Sequence, residues 1–118
     1  MNTDNQLNYG PSLENIIYLY LVSHNYQVSV GKIGNLECDF IVRSENQNYE
    51  YIKVTYTLKG EDAKATNKIK EREYKPFRNI RNGYPRYIIS LDRFRDQQEG
   101  VKHLNAIDFM LGKEKLDL

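Results

Sequence analysis

Two periods of apolar residues run along this chain, and they alternate. Leu13, Ile16, Ile17, Tyr20 and Leu21 recur at i, i+3, i+4, i+7 and i+8, the spacing of an amphipathic helix. Ser12 precedes them as an N-cap, Glu14 suits the positive end of the helix dipole, and His24-Asn25 closes the segment. From Tyr26 to Val30 the period changes to two, which predicts a strand. Gly31, Gly34 and Asn35 supply turn residues, and a second alternating run follows. In it Leu36, Cys38, Phe40 and Val42 lie on one face, and Glu37, Asp39, Ile41 and Arg43 on the other. The two runs read as a hairpin. Ser44 to Asn48 is a polar turn. In a third strand, Tyr49 to Leu58, Ile52, Val54 and Tyr56 alternate with Tyr51, Lys53 and Thr55.

The pattern becomes helical from Glu61 to Arg81, with a thin apolar stripe of Ile69, Phe77 and Ile80 and a kink expected at Pro76. Gly83 and Pro85 end it. Tyr87 to Leu91 is a short, nearly continuous apolar run, as a strand buried on both faces in a parallel sheet would be. Asp92 to Gly100 reads as a charged loop, Val101 to Asn105 as a last strand, and Ile107 to Leu111 as a helical turn. The order α-β-β-β-α-β, with one strand more, predicts an α/β domain over residues 12–111: a mixed central sheet flanked by helices. Residues 1–11 read as a loose leader and 112–118 as a tail.

Composition narrows the class. At 118 residues the chain is large enough for one core. No apolar run is long enough to span a bilayer, and the N-terminus lacks the apolar centre of an export signal. Cys38 is the only cysteine, which excludes an internal disulfide and a cysteine zinc site and fits a cytoplasmic protein. The small net charge hides an asymmetry: residues 1–58 carry three Lys/Arg and six Asp/Glu, residues 59–118 fourteen and ten. Much of the basic excess lies between Lys64 and Arg86, so Lys64, Lys68, Arg72 and Lys75 form a candidate nucleic-acid face, or a solvated helix surface.

The candidate chemistry centres on Leu36-Glu37-Cys38-Asp39-Phe40-Ile41-Val42. Glu37 and Asp39 share a face with Ile41, so at least half of that face is expected to be buried. Carboxylates there need a positive partner: a metal ion, a lysine, or water at a sheet edge. Glu14, at the border of the helix stripe, can reach the sheet's edge. Lys53 can lie beside Asp39 if the second and third strands pair antiparallel. His24 and His103 show no ligand spacing with Cys38, and Ser12 and Ser23 have no nucleophile context. Lys102-His103 beside Asp108 reads as a basic patch or a solvated strand edge. No G-x-x-x-x-G-K-S/T is present, so ATP hydrolysis by a P-loop is excluded.

Four stretches taken together resemble a known family: Ser12-Leu13-Glu14-Asn15-Ile16-Ile17-Tyr18-Leu19, Gly34-Asn35-Leu36-Glu37-Cys38-Asp39-Phe40-Ile41, Tyr51-Ile52-Lys53-Val54-Thr55-Tyr56-Thr57-Leu58 and Gly100-Val101-Lys102-His103-Leu104-Asn105-Ala106-Ile107-Asp108-Phe109. In order and spacing they resemble the uncharacterised C-terminal domain of predicted bacterial and archaeal ATPases of the AAA+ superfamily, which has the restriction-endonuclease-like, or PD-(D/E)XK, fold. The resemblance implies a helix-one glutamate and a strand-two aspartate that hold Mg²⁺ in active members, here Glu14 and Asp39. It also implies a carboxylate two residues before a lysine on strand three. Lys53 and Thr55 stand at those positions, so that half of the motif is missing. Glu37 shares Asp39's face and is the one substitute ligand. The resemblance therefore implies a vestigial site of Glu14, Glu37, Asp39 and Lys53 and an accessory domain that needs no cofactor. Its partner would be an ATPase module or DNA. The alternatives are an active nuclease, with Mg²⁺ as cofactor, and a domain that contacts only protein.

Overall fold

A computed structural model describes residues 12–33, 36–43, 49–75, 77, 85–94, 97–98 and 100–116, apart from the side chains of 31–33, 36–38 and 97–98. The leader, the turns at Gly34-Asn35 and Ser44–Asn48, Pro76 with its expected kink, Ile80, Gly83 and the end of the tail lie outside the described residues. So do the side chains of Glu37 and Cys38.

Helix α1 (Leu13–Ser23) is followed by β1 (Gln27–Ile33), β2 (Leu36–Arg43) and β3 (Tyr49–Val54). Then come α2 (Ala63–Tyr74), β4 (Arg86–Ser90), β5 (Gln97–Gln98), β6 (Val101–Asn105) and α3 (Ala106–Met110). The sheet has the order β1-β2-β3-β4-β6-β5. The first three strands meander antiparallel, α2 carries the chain over to β4, parallel to β3, and β6 lies parallel to β4. This is the mixed α/β architecture that the alternating periods predict.

Local chemistry sets the helix ends. The Ser12 hydroxyl accepts the Asn15 N–H at 3.2 Å, and the Asp62 carboxylate accepts that of Ala65 at 2.8 Å. Asn25, at φ 68°, turns the chain out of α1 into β1, a conformation that asparagine tolerates better than most residues. Gly60 has room for no more than hydrogen: a Cβ there would lie 2.5 Å from that of Ala65.

Two cores lie on opposite faces of the sheet. Leu13, Ile17 and Leu21 of α1 pack with Phe109 of α3 on Phe40, Val42, Ile52, Tyr87, Ile89 and Leu104. On the other face Tyr74 and Phe77 meet Tyr51, Ile88 and Val101, with Leu58 between. Tyr87, Ile88 and Ile89 are therefore buried from both sides, which accounts for the apolar run in β4.

The structure departs from the sequence pattern at several places. β1 runs on through Gly31, expected as a turn residue, to Ile33, and Leu116 of the expected tail is buried in the α1-side core. The buried stripe of α1 is narrower than the apolar pattern: Ile16 is 38% exposed and Tyr20 lies at the margin, tilted against Phe109. β3 ends at Val54, although the chain stays beside β4 through the bonds Thr55 N–H to Ile89 O and Leu91 N–H to Tyr56 O. The expected loop after Asp92 contains β5, which pairs antiparallel with β6. Finally, Glu50 shares the phase of Ile52 and is fully buried in the α1 side of the sheet. Its charge, after burial itself, holds the neighbouring Tyr26 phenol above its usual value.

Candidate functional site

The β2–β3 ladder runs from the pair Arg43–Tyr49 to the pair Phe40–Ile52 and stops there. Phe40 and Ile52 both face α1, and Asp39, beside Phe40, is the extra residue of a β-bulge, since Val30 of β1 pairs with Phe40 and Gly31 with Cys38. Beyond the last pair the two strands fork, and the Asp39 side chain fills the fork. Its Oδ2 accepts the Val54 N–H at 2.5 Å, a backbone donor that the ladder has left.

Glu14 comes to this fork from the first turn of α1. The Tyr56 hydroxyl accepts the Leu13 N–H at 3.2 Å and ties that turn to the chain beyond β3. Between them lies a cleft of about 180 Å³, lined by Ser12, Leu13, Glu14, Val54, Thr55 and Tyr56. Much of the Glu14 side chain is open to solvent, yet its carboxyl is held above its usual pKa. Partial desolvation is the largest cause, followed by the charge of Asp39 and a hydrogen bond shared with that carboxyl; the ammonium of Lys53 acts in the opposite sense. Glu14, Asp39 and Lys53 thus converge from three elements, although 25 and 14 residues separate them along the chain.

Lys53 would, from the sequence, pair with Glu37 or Asp39. In the structure its charge acts on Glu14, while Asp39 is engaged by the Val54 amide. Glu37 lies on β2 opposite Lys32, and its side chain is outside the described residues.

The described donors do not fit Mg²⁺. The ion takes oxygen ligands in a near-octahedral set and sheds water reluctantly. Glu14 and Asp39 offer carboxylates, but one Asp39 oxygen is committed to a backbone amide and Lys53 adds a cation beside them. Among the described residues no group of three His, Cys, Asp or Glu side chains is placed to hold a metal ion.

The basic residues of α2 lie elsewhere. Lys64, Lys68, Arg72 and Lys75 are all exposed, and at 100° per residue they fall within about 80° of one another. Arg72 also contacts Glu73 at 3.2 Å. The stripe faces away from Glu73 and Tyr74, which the helix buries.

His103 is a correction. Its sequence reading was a surface patch or a solvated edge, but it is 4% exposed, because its phase in β6 matches Val101 on the α2 face. Nδ1 lies 2.9 Å from the Phe94 carbonyl and Nε2 2.6 Å from Ser90 Oγ, which also accepts the Asp92 N–H at 3.0 Å. The Asp92 carboxylate accepts the Thr57 hydroxyl and the Leu58 N–H, each at 2.7 Å. Ser90 is fully buried, so this serine–histidine pair is a polar pin between β4 and β6 and not a reachable nucleophile. Asp108, which the sequence set beside His103, instead meets Arg93 at 3.7 Å. The sequence reading also missed Tyr56 as the anchor of α1. Its alternation with Val54 was visible, but the hydroxyl's partner lies 43 residues away.

Among known proteins, the chain is similar to a Haemophilus influenzae protein described as uncharacterised, with 26% identity over 106 residues. The match covers 88% of this chain and 24% of that protein, so the chain spans about a quarter of its relative's length. No protein-family model matches the chain. No solved structure matches it. Among the described residues no helix is long and apolar enough to cross a membrane.

Proposed function

We propose that this is a non-catalytic, nuclease-like accessory domain that serves an AAA+ type ATPase by docking or by contacting nucleic acid. The observation that carries the reading is the fork at Asp39. A carboxylate that would hold a metal in an active nuclease accepts the Val54 amide, and Lys53 and Thr55 stand where the third-strand carboxylate and lysine would be. An ammonium in place of a carboxylate reverses the local charge, so the pocket is offset from within.

Docking to a larger chain is supported by the relative, in which a segment like this one makes up about a quarter of the length. It is also supported by α1, which is apolar almost all round and leaves Leu19 60% and Val22 44% exposed. The nucleic-acid reading is favoured by the exposed stripe of Lys64, Lys68, Arg72 and Lys75.

The decisive experiment is plasmid cleavage by the full chain with Mg²⁺ or Mn²⁺. The expected result is no cleavage and no metal-induced rise in melting temperature. Cleavage that chelator stops and Asp39→Ala abolishes would replace this reading with an active nuclease. Lys53→Glu combined with Thr55→Lys restores the missing half of the motif, and metal binding should appear in that variant first.

A further inference from the structure

The sheet has two edges, and they are unlike. At one end β5 is two residues long, and at the other β1 runs for seven. Among the described residues no strand borders β1 on its outer side, so every second residue there turns its N–H and C=O outward. Proline and charge are the usual guards of such an edge; β1 has no proline, and Lys32 is its one charged residue. The extra residue of the bulge lies on β2, so β1 itself carries no insertion. The same margin is apolar. Val30 is 80% exposed, although it shares the phase of Val28 and pairs with Phe40 on the α1 face. On that face Tyr18 tilts against Phe40 at 5.8 Å while Tyr20 turns to Phe109, so the Tyr18 flank of α1 is the one toward β1. Val22, also exposed, lies on the same flank, about 40° from Tyr18.

A partner for this margin must offer a free strand edge and, beside it on one face, an uncharged helix flank. The margin itself offers both. We infer that β1 pairs antiparallel with β1 of a second copy about a two-fold axis through Val30, so that two six-stranded sheets become one. In that register Gln27 stands opposite Ile33 of the second copy, Val28 opposite Lys32, and Val30 opposite its own equivalent. An axis perpendicular to the sheet keeps both α1 helices on one face, where Tyr18 and Val22 of each come together over the joint and cover the two Val30 side chains. The two Lys32 residues are offset along the joint by about 14 Å, so no like charges are opposed. Only the two-residue β5 edges remain free, so the assembly closes at two. This pairing stands whether or not the chain touches nucleic acid.

Sedimentation of the full chain from micromolar to millimolar concentration should show monomer and dimer in equilibrium and no larger species. Val30→Glu sets two carboxylates against each other at the axis and should weaken the dimer about a hundredfold. Because Val30 is exposed in the single chain, the diluted variant should melt as the diluted parent does. Val30→Lys should weaken the dimer likewise, and an equimolar mixture of the two variants should dimerise again, as self-pairing at position 30 requires. In a Cys38→Ser background, Val30→Cys should form a disulfide between copies on mild oxidation, since opposed residues have Cα atoms about 4.5–5.5 Å apart. A chain that stays monomeric throughout overturns the pairing and leaves the α1 flank to another protein. A dimer that Val30→Glu leaves intact overturns it as well, because the contact then lies elsewhere, and a mixture that stays monomeric overturns the axis through Val30. If Val30→Glu fails to fold, Val22→Glu and the Val30→Cys link decide: loss of the dimer together with a link supports the pairing, and a retained dimer or no link overturns it.

Discussion

The fork at Asp39 and the pin at His103 are both polar clusters set against the sheet, and they are built on opposite terms. Around His103 the polar side chains are buried and matched: the imidazole has a partner at each nitrogen, Ser90 takes both His103 and the Asp92 amide, and Asp92 takes two donors. At the fork the groups are half open, two carboxyls face each other, and Glu14 is held above its usual pKa. A matched buried network adds rigidity. Two neighbouring carboxyls at an open edge, offset only in part by the ammonium of Lys53, detract from stability at neutral pH, and a carboxyl raised in this way is a common mark of a functional position. Where polar groups are concentrated matters less than whether their needs are met.

Removing Ser90 should separate the two regions most clearly. Ser90→Ala leaves His103 Nε2 and the Asp92 amide without their partner, and each orphaned buried group costs about 1–3 kcal/mol. Urea unfolding should show this loss, and a loss below about 0.5 kcal/mol would mean that water replaces the hydroxyl. Asp39 should behave differently. Asp39→Asn keeps an acceptor for the Val54 amide and removes a charge from beside Glu14, so its stability should stay within about 1 kcal/mol of the parent. A larger loss in the same measurement would show that the fork is a structural network like the pin.

The smallest effect is a pH dependence. The Glu14 carboxyl binds its proton more tightly in the folded chain than in the unfolded one, because its folded pKa is raised above 4.5. Its contribution is therefore fully present below that value and is lost as pH rises through the folded pKa. Glu14→Gln should flatten this decline, so that the variant gains relative to the parent between acid and neutral pH. Melting curves across that range test it, and an unchanged pH profile would show that Glu14 and Asp39 do not interact in solution.

Much of the architecture was legible because each element carries its own period. The apolar run in β4 foretold a strand covered on both sides, and Ser12 marked the start of α1. Glu14, Asp39 and Lys53 were each visible as residues in phase, and the structure brings them together. Their electrostatic pairing was not visible. A lysine two residues from a threonine carries no sign of which carboxylate its charge will reach. His103 was misread for a related reason: its neighbours Lys102 and Asp108 are polar, and only the packing of Phe94 and Ser90 places the imidazole inside.

By itself, then, the sequence determined the order of the helices and of the strands other than β5, the parallel setting of β4, and the absence of a P-loop motif. These follow from periodicity and residue identity, which are local properties. Tertiary structure alone decided that the β2–β3 ladder stops at Phe40 and Ile52, that Asp39 then takes the Val54 amide, and that Lys59 and Lys70 meet at Phe94. Those contacts depend on where strands diverge and how a helix lies over them, and packing between segments distant in the chain sets both.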